Sequence, residues 1–134
     1  MALALAIVTP TAEAVSLSCD EVVAPGEQGQ VGLLPGDFPL ISAFLAGVLT
    51  VVAEGKQSLY ACGSWFAEIE EDNVRVLVSV CEEASTIDAA EAKKKADEAE
   101  KQLAEMAVSD DGYAGHLGRY RLNRARLDAA ELLR

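Results

Sequence analysis

The chain has 134 residues, of which 51% are hydrophobic and only 5% aromatic, and it carries a formal net charge of −11. That length suits one ordinary domain, or a compact domain with an appendage. The charge excludes a nucleic-acid surface, which needs clustered Lys and Arg to displace counterions from phosphates, and it equally disfavours adsorption onto anionic lipid.

In "MALALAIVTP", Leu3, Leu5 and Ile7 alternate with alanines, which predicts a strand Ala2–Val8 with one face on a core. The stretch lacks the basic flank of a signal peptide and stops at Pro10. Short strands are expected next at Ala12–Leu17, Glu21–Ala24 and Gln30–Leu33. Between them lies "PGEQGQVGLLPGDFP", with glycines at 26, 29, 32 and 36 among three prolines. No lysine follows these glycines as a P-loop requires, and the run meets prolines instead of opening a helix. Turn and bulge glycines are therefore the better reading than a phosphate cradle. The longest uncharged run, Phe38 to Ala53, is sixteen residues broken by Pro39 and Gly47, too short to span a bilayer as a helix. Strands follow at Gly47–Val52, Gln57–Cys62, Trp65–Glu70 and Val74–Val80, with "EGK" and "EEDN" as hairpin turns. Val74, Val76, Val78 and Val80 share one face, opposite Arg75, Leu77 and Ser79.

The chain changes character near residue 85. Seven of ten glycines and all four prolines lie at or before residue 63, and none of the glycines falls between Ser64 and Asp111. Residues 1–84 carry a net charge of −10 and residues 85–134 a net charge of −1. Asp88 is a candidate N-cap with Glu91 three residues on, a weaker variant of the capping box. Ala92, Ala96, Ala99, Leu103 and Met106 then recur as a heptad stripe. A break around Gly112 precedes a second helix, from about His116 to Leu133, with Gly115, Gly118, Leu122, Ala125, Ala129 and Leu132 as the matching stripe. Two helices joined by a short loop should run antiparallel. The expected fold class is α+β: an N-terminal β-sandwich or flattened barrel, residues 1–84, followed by a C-terminal two-helix hairpin, residues 85–134. Stripes of alanine bury little area, at about 0.8 kcal/mol per CH₂-sized group, so the hairpin is expected to be weakly held.

Chemical constellations are sparse. Cys19, Cys62 and Cys81 are an odd number without a C-x-x-C pair, and with one histidine, His116, they are too few for a tetrahedral zinc site. Buried free thiols are expected, with no metal and no cofactor. The acid clusters Asp20–Glu21, Glu70–Asp72 and Glu82–Glu83 read most simply as solvated turns, although a carboxylate pair for acid/base work stays open. Arg119, Arg121, Arg124 and Arg126 are the only concentration of arginine. Two readings stay open for them: a solvated face paired with acids of the first helix, or a latch for an acidic partner or a nucleotide phosphate.

In order along nearly the whole chain, "IVTPTAEAV", "GEQGQVGLLPG", "GVLTV", "CGSWFAEIEEDNVRVLV" and "EEASTIDAAEAKKKADEAEKQL" resemble the epsilon subunit of F-type ATP synthases, whose mitochondrial counterpart is the delta subunit. The resemblance implies a non-catalytic central-stalk subunit. Its sandwich would bind the gamma subunit and the polar loops of the membrane-embedded c-ring. Its hairpin would lie on the sandwich, or extend toward the catalytic alpha and beta subunits and restrain ATP hydrolysis. It also implies a peripheral position on the cytoplasmic face of a bacterial inner membrane, or on the stromal face of a thylakoid, without membrane insertion. By this resemblance the ring-facing turn comprises Gly29, Gln30, Gly32 and Asp37. Gln30 stands where the family often has an acid, and Asp37 replaces a usual histidine. The family's ATP-sensing motif, I/L-D-x-x-R-A, becomes Ile87, Asp88, Glu91 and Ala92, with Glu91 in the arginine's place. The reversed charge would repel a triphosphate, so weak or absent ATP binding is expected. Arg119, Arg121, Arg124 and Arg126 correspond to the inhibitory basic helix. Two rival readings are a nucleotide-binding regulatory module and an unrelated small β-sandwich enzyme.

Overall fold

The computed structural model describes residues 3–11, 13–26, 29–33 and 40–133. Among the described residues, ten strands form two five-stranded sheets. The first sheet has β1 (Leu3–Val8), β2 (Glu13–Cys19), β5 (Leu40–Phe44), β8 (Trp65–Glu70) and β9 (Asn73–Val78), in the order β2-β1-β9-β8-β5. The second has β3 (Glu21–Gly26), β4 (Gly29–Leu33), β6 (Gly47–Ala53), β7 (Lys56–Cys62) and β10 (Cys81–Glu83), in the order β10-β7-β6-β3-β4. All pairings are antiparallel except β1 with β9.

Period-two alternation builds the core. Leu3, Leu5 and Ile7 of β1 meet Val74, Val76 and Val78 of β9 and Trp65, Ala67 and Ile69 of β8, and all are buried. From the second sheet Val22, Leu49, Val51 and Cys62 close the same cluster. Trp65, the largest buried side chain, donates its indole N–H to the Leu45 carbonyl at 3.1 Å, so no polar atom of the ring is stranded in the core. Both expected hairpin turns exist, and their backbones show why they are tight. Glu54 and Gly55 have φ of 53° and 75°, Glu71 and Asp72 have 49° and 64°. Positive φ at both central residues is the type I′ pattern, whose twist matches the strands on either side.

Two strands are absent from the expectation. β5 lies within the uncharged run after Pro39, where a uniform apolar stretch carries no alternation to read. β10 has three residues, too few for any periodicity. The β9 strand ends at Val78, short of the expected Val80, because the chain crosses there from the first sheet to the second. Gly63 N–H donates to the Val80 carbonyl at 3.0 Å at this corner.

A short 3₁₀ turn, Ala84–Thr86, leads into α1 (Ala89–Ala104) and then α2 (Tyr113–Leu132). The helices pack side by side, and α2 also lies on the outer face of the second sheet. Ala125 and Ala129 sit there with Leu59 and Ala61 of β7, Ala84, and the half-buried Val48 and Ile87. In this structure the hairpin is therefore folded onto the sandwich. Ala92, Ala96 and Ala99 are buried as expected, while Leu103 and Met106 are half-buried. The stripe expected on α2 is corrected. Ala125 and Ala129 are buried and Leu122 is half-buried, but Gly115, Gly118 and Leu132 are exposed, and Asn123, Leu127 and Ala130 are buried instead. A helix gripped by both α1 and a sheet buries a face wider than one heptad seam.

Candidate functional site

The junction of hairpin and sandwich begins at Asp88. Its carboxylate accepts from the backbone N–H groups of Ala90 and Glu91, at 3.0 and 3.2 Å, and so caps α1. Glu91 turns outward instead of completing a capping box. Its Oε1 lies 2.8 Å from Lys95 Nζ one turn on, and 3.8 Å from a guanidinium nitrogen of Arg126 on α2. The Lys95 hydrogen bond and charge, helped by Arg126, hold the Glu91 carboxyl below its usual range.

Arg126 is the centre of this junction. Its side chain is only 12% exposed, and its Nε lies 2.9 Å from Glu82 Oε1 on β10. That N–H is not directed at the carboxylate, so the contact is an ion pair without an aligned hydrogen bond. A second guanidinium nitrogen donates to Asn123 Oδ1 at 3.0 Å, and Asn123, buried on α2, donates in turn to the Arg119 carbonyl at 2.9 Å. One cation thus ties β10, α1 and α2 together.

The other arginines differ from it. Arg124, exposed, pairs with the half-buried Asp128 on its own helix at 3.3 Å. Arg119 donates to His116 Nδ1 at 3.1 Å. Arg121 is half-buried and lines a cleft with Ser64 and Ser79. Of the four, the structure pairs only Arg126 with an acid of the first helix. Glu82 could not be recognised as a partner from sequence, where Glu82–Glu83 reads as a solvated turn, because three-residue β10 leaves no pattern. Between α1, α2 and β10 opens a cleft of about 480 Å³, lined by Lys95, Arg119, Arg126, Asn123, Glu82 and Glu98. Of its cations, Lys95 and Arg126 stand beside acids.

Ile87 packs half-buried under the hairpin and Ala92 is fully buried, so these two residues serve packing where Asp88 serves capping. Gly29, Gln30 and Gly32 lie on β4, opposite Gly26, Pro25 and Val23 of β3. β4 is an edge strand, so this hairpin forms one rim of the sandwich. Asp37 lies outside the described residues. Among the described residues, no group of three or more His, Cys, Asp or Glu could hold a metal ion. No helix among them is long and apolar enough to cross a membrane.

A sandwich carrying a helical hairpin on its outer face, joined at the Arg126 ion-pair junction, defines a two-part subunit of β-sandwich and helical arm. Residues 2–84 match the family described as ATP synthase, Delta/Epsilon chain, beta-sandwich domain. The ATP synthase epsilon chain of Anaeromyxobacter dehalogenans (strain 2CP-C) is 37% identical over 130 residues, 97% of this chain and 98% of that one. The epsilon chain of Synechococcus elongatus is 36% identical over 133 residues, covering 97% and 96%. A chain in the cryo-EM structure of Euglena gracilis mitochondrial ATP synthase, OSCP/F1/c-ring, superposes with a TM-score of 0.80 at 18% identity, covering 97% of this chain and 81% of that one, a likeness of fold. The chain belongs to the delta/epsilon family of ATP synthase subunits. It is a non-catalytic epsilon-type subunit of the F-type central stalk.

Proposed function

We propose that residues 1–84 bind the gamma subunit and the c-ring and transmit ion-driven rotation, while residues 85–134 restrain ATP hydrolysis by leaving the sandwich and reaching the catalytic alpha and beta subunits. Gly29, Gln30 and Gly32 of the rim hairpin, together with Asp37 further along the chain, form the ring-contacting segment, and the arginines of α2 engage acidic segments of the catalytic subunits. The complex sits at the cytoplasmic face of a bacterial inner membrane, or alternatively the stromal face of a thylakoid. The observation that carries this reading is how α2 is held: alanine-sized contacts on β7 and one ion-pair junction at Arg126. Such a seam can open without unfolding the sandwich beneath it.

The test is deletion of residues from about 110 onward in the assembled complex. ATP hydrolysis is expected to rise while assembly and synthesis persist. Unchanged hydrolysis in the truncated complex would refute the restraining role. A pull-down on the full chain should recover a gamma-type partner.

The cleft between the helices supports a second reading, a nucleotide-binding module, since Lys95, Arg119 and Arg126 line it. Against it, Arg126 is already neutralised by Glu82 and Glu91, and Glu98 lines the same space. The expected result of an ATP titration is no micromolar affinity. Saturable micromolar binding would favour the second reading.

A further inference from the structure

Cys81 on β10 stands directly opposite Cys62 on β7. The Gly63 N–H to Val80 carbonyl bond joins the next opposed pair, which makes Cys62–Cys81 a non-hydrogen-bonded pair of the antiparallel ladder. In such pairs the Cα atoms lie about 4.5 Å apart, inside the span of roughly 4.4–6.8 Å that a disulfide bridges. Both side chains face the sandwich interior, Cys62 fully buried and Cys81 half-buried at the sheet edge. As directly opposed residues of one ladder, the two side chains project from the same face of the sheet.

We propose that Cys62 and Cys81 form a reversible dithiol/disulfide site that staples the strand feeding the helical hairpin to the sheet. The oxidant is a small external disulfide. The half-buried Cys81 attacks it as thiolate, forming a mixed disulfide and expelling one thiol. Cys62 then loses its proton, attacks Cys81 Sγ and expels the second thiol. Two S–H bonds are lost and one S–S bond forms, and the two electrons reduce the external disulfide. The division of labour follows from position. The Cys62 thiol donates toward Cys81 and lowers its pKa, while that same hydrogen bond and burial push Cys62 up. Cys62 needs no access to solvent, because its step is intramolecular. Cys19 is buried on the other sheet, and burial and Asp20 push its thiol up, so it stays out of the exchange. The staple matters because β10 is a three-residue edge strand, and the next residue, Glu82, holds Arg126 of α2.

The experiment exposes the reduced full chain to an oxidised/reduced glutathione series, quenches with alkylating agent and maps thiols by mass spectrometry. The expected outcome is a fall from three free thiols to one, with a peptide linking Cys62 to Cys81 that dithiothreitol releases. Amide exchange across residues 81–86 should slow by about tenfold in the oxidised form. Cys62→Ala should trap glutathione on Cys81, and Cys81→Ser should leave Cys62 unreacted. A stable glutathione adduct on Cys81 of the wild-type chain, a linkage through Cys19, or thiols that oxidise only in denaturant would each overturn the site. A disulfide that leaves exchange over 81–86 unchanged would overturn the stapling.

Discussion

Arg126 shows what burial does to an ion pair. A surface pair such as Arg124–Asp128 contributes a few tenths of a kcal/mol, because water screens it and two long side chains must be held still. Arg126 is nearly buried, and removing it strands the Asn123 amide oxygen and leaves Glu82 without its cation. Arg126→Ala is expected to destabilise the chain by about 2 kcal/mol, and Arg124→Ala by less than about 0.5 kcal/mol, in urea unfolding followed by the helix signal. Equal effects would mean that Arg126 is no anchor. Glu91 adds a pH dependence of definite sign. Its carboxyl is held low in the folded chain, so its contribution is complete above the unfolded value and is lost as pH falls through the folded one. Acidification below the ordinary carboxylate range should therefore weaken the Lys95 pair within α1 first and, to a smaller extent, the Arg126 contact with α2, and Glu91→Gln should remove that part of the acid response. The comparison of amide exchange in α2 between the two proteins at falling pH checks it.

At the scale of the element, α2 is a helix with two partners of unequal kind. Toward the second sheet it presents Ala125 and Ala129, and toward the junction the polar group of Arg126 and Asn123. Small side chains make the sheet contact shallow, so one charge in the seam should undo it. Ala129 is fully buried against β7, and Ala129→Asp would place an unpaired carboxylate among apolar side chains. Amide protection in α2 should collapse while the β1 and β9 amides stay protected. Joint loss in both would show that hairpin and sandwich unfold as one unit.

The same geometry explains what could be read in advance. Strands such as β1 and β9 were legible because each buries one face, leaving alternation in the sequence, and Asp88 was legible as a cap because capping is local. The stripe on α2 was not, since its burial is set by two neighbours distant in sequence. The Cys62–Cys81 pair and the Glu82–Arg126 contact were illegible for a further reason. Both depend on β10, whose three residues take their register only from β7. By sequence resemblance the acid at position 91 is a charge that repels phosphate, and the structure adds that it has partners in Lys95 and Arg126.

Charge is divided across the whole molecule as well as within the junction. Residues 1–84 carry a net charge of −10, whereas the helical half is nearly neutral and holds all but one of the arginines. The folded hairpin thus lays its cationic helix against the acidic part of the chain, and long-range attraction adds to the shallow apolar seam. Attraction of this kind falls with ionic strength, since the screening length shortens from about 10 Å at 0.1 M salt to about 3 Å at 1 M. The apolar part of the seam does not weaken in sodium chloride. Raising sodium chloride across that range should therefore increase opening of α2 several-fold, read as faster amide exchange in α2 with the sandwich core unchanged. A shift of 1.4 kcal/mol moves such an equilibrium tenfold, so even modest screening is measurable. If exchange in α2 is insensitive to salt, the apolar seam alone holds the hairpin, and only contacts offered by a partner could draw it away.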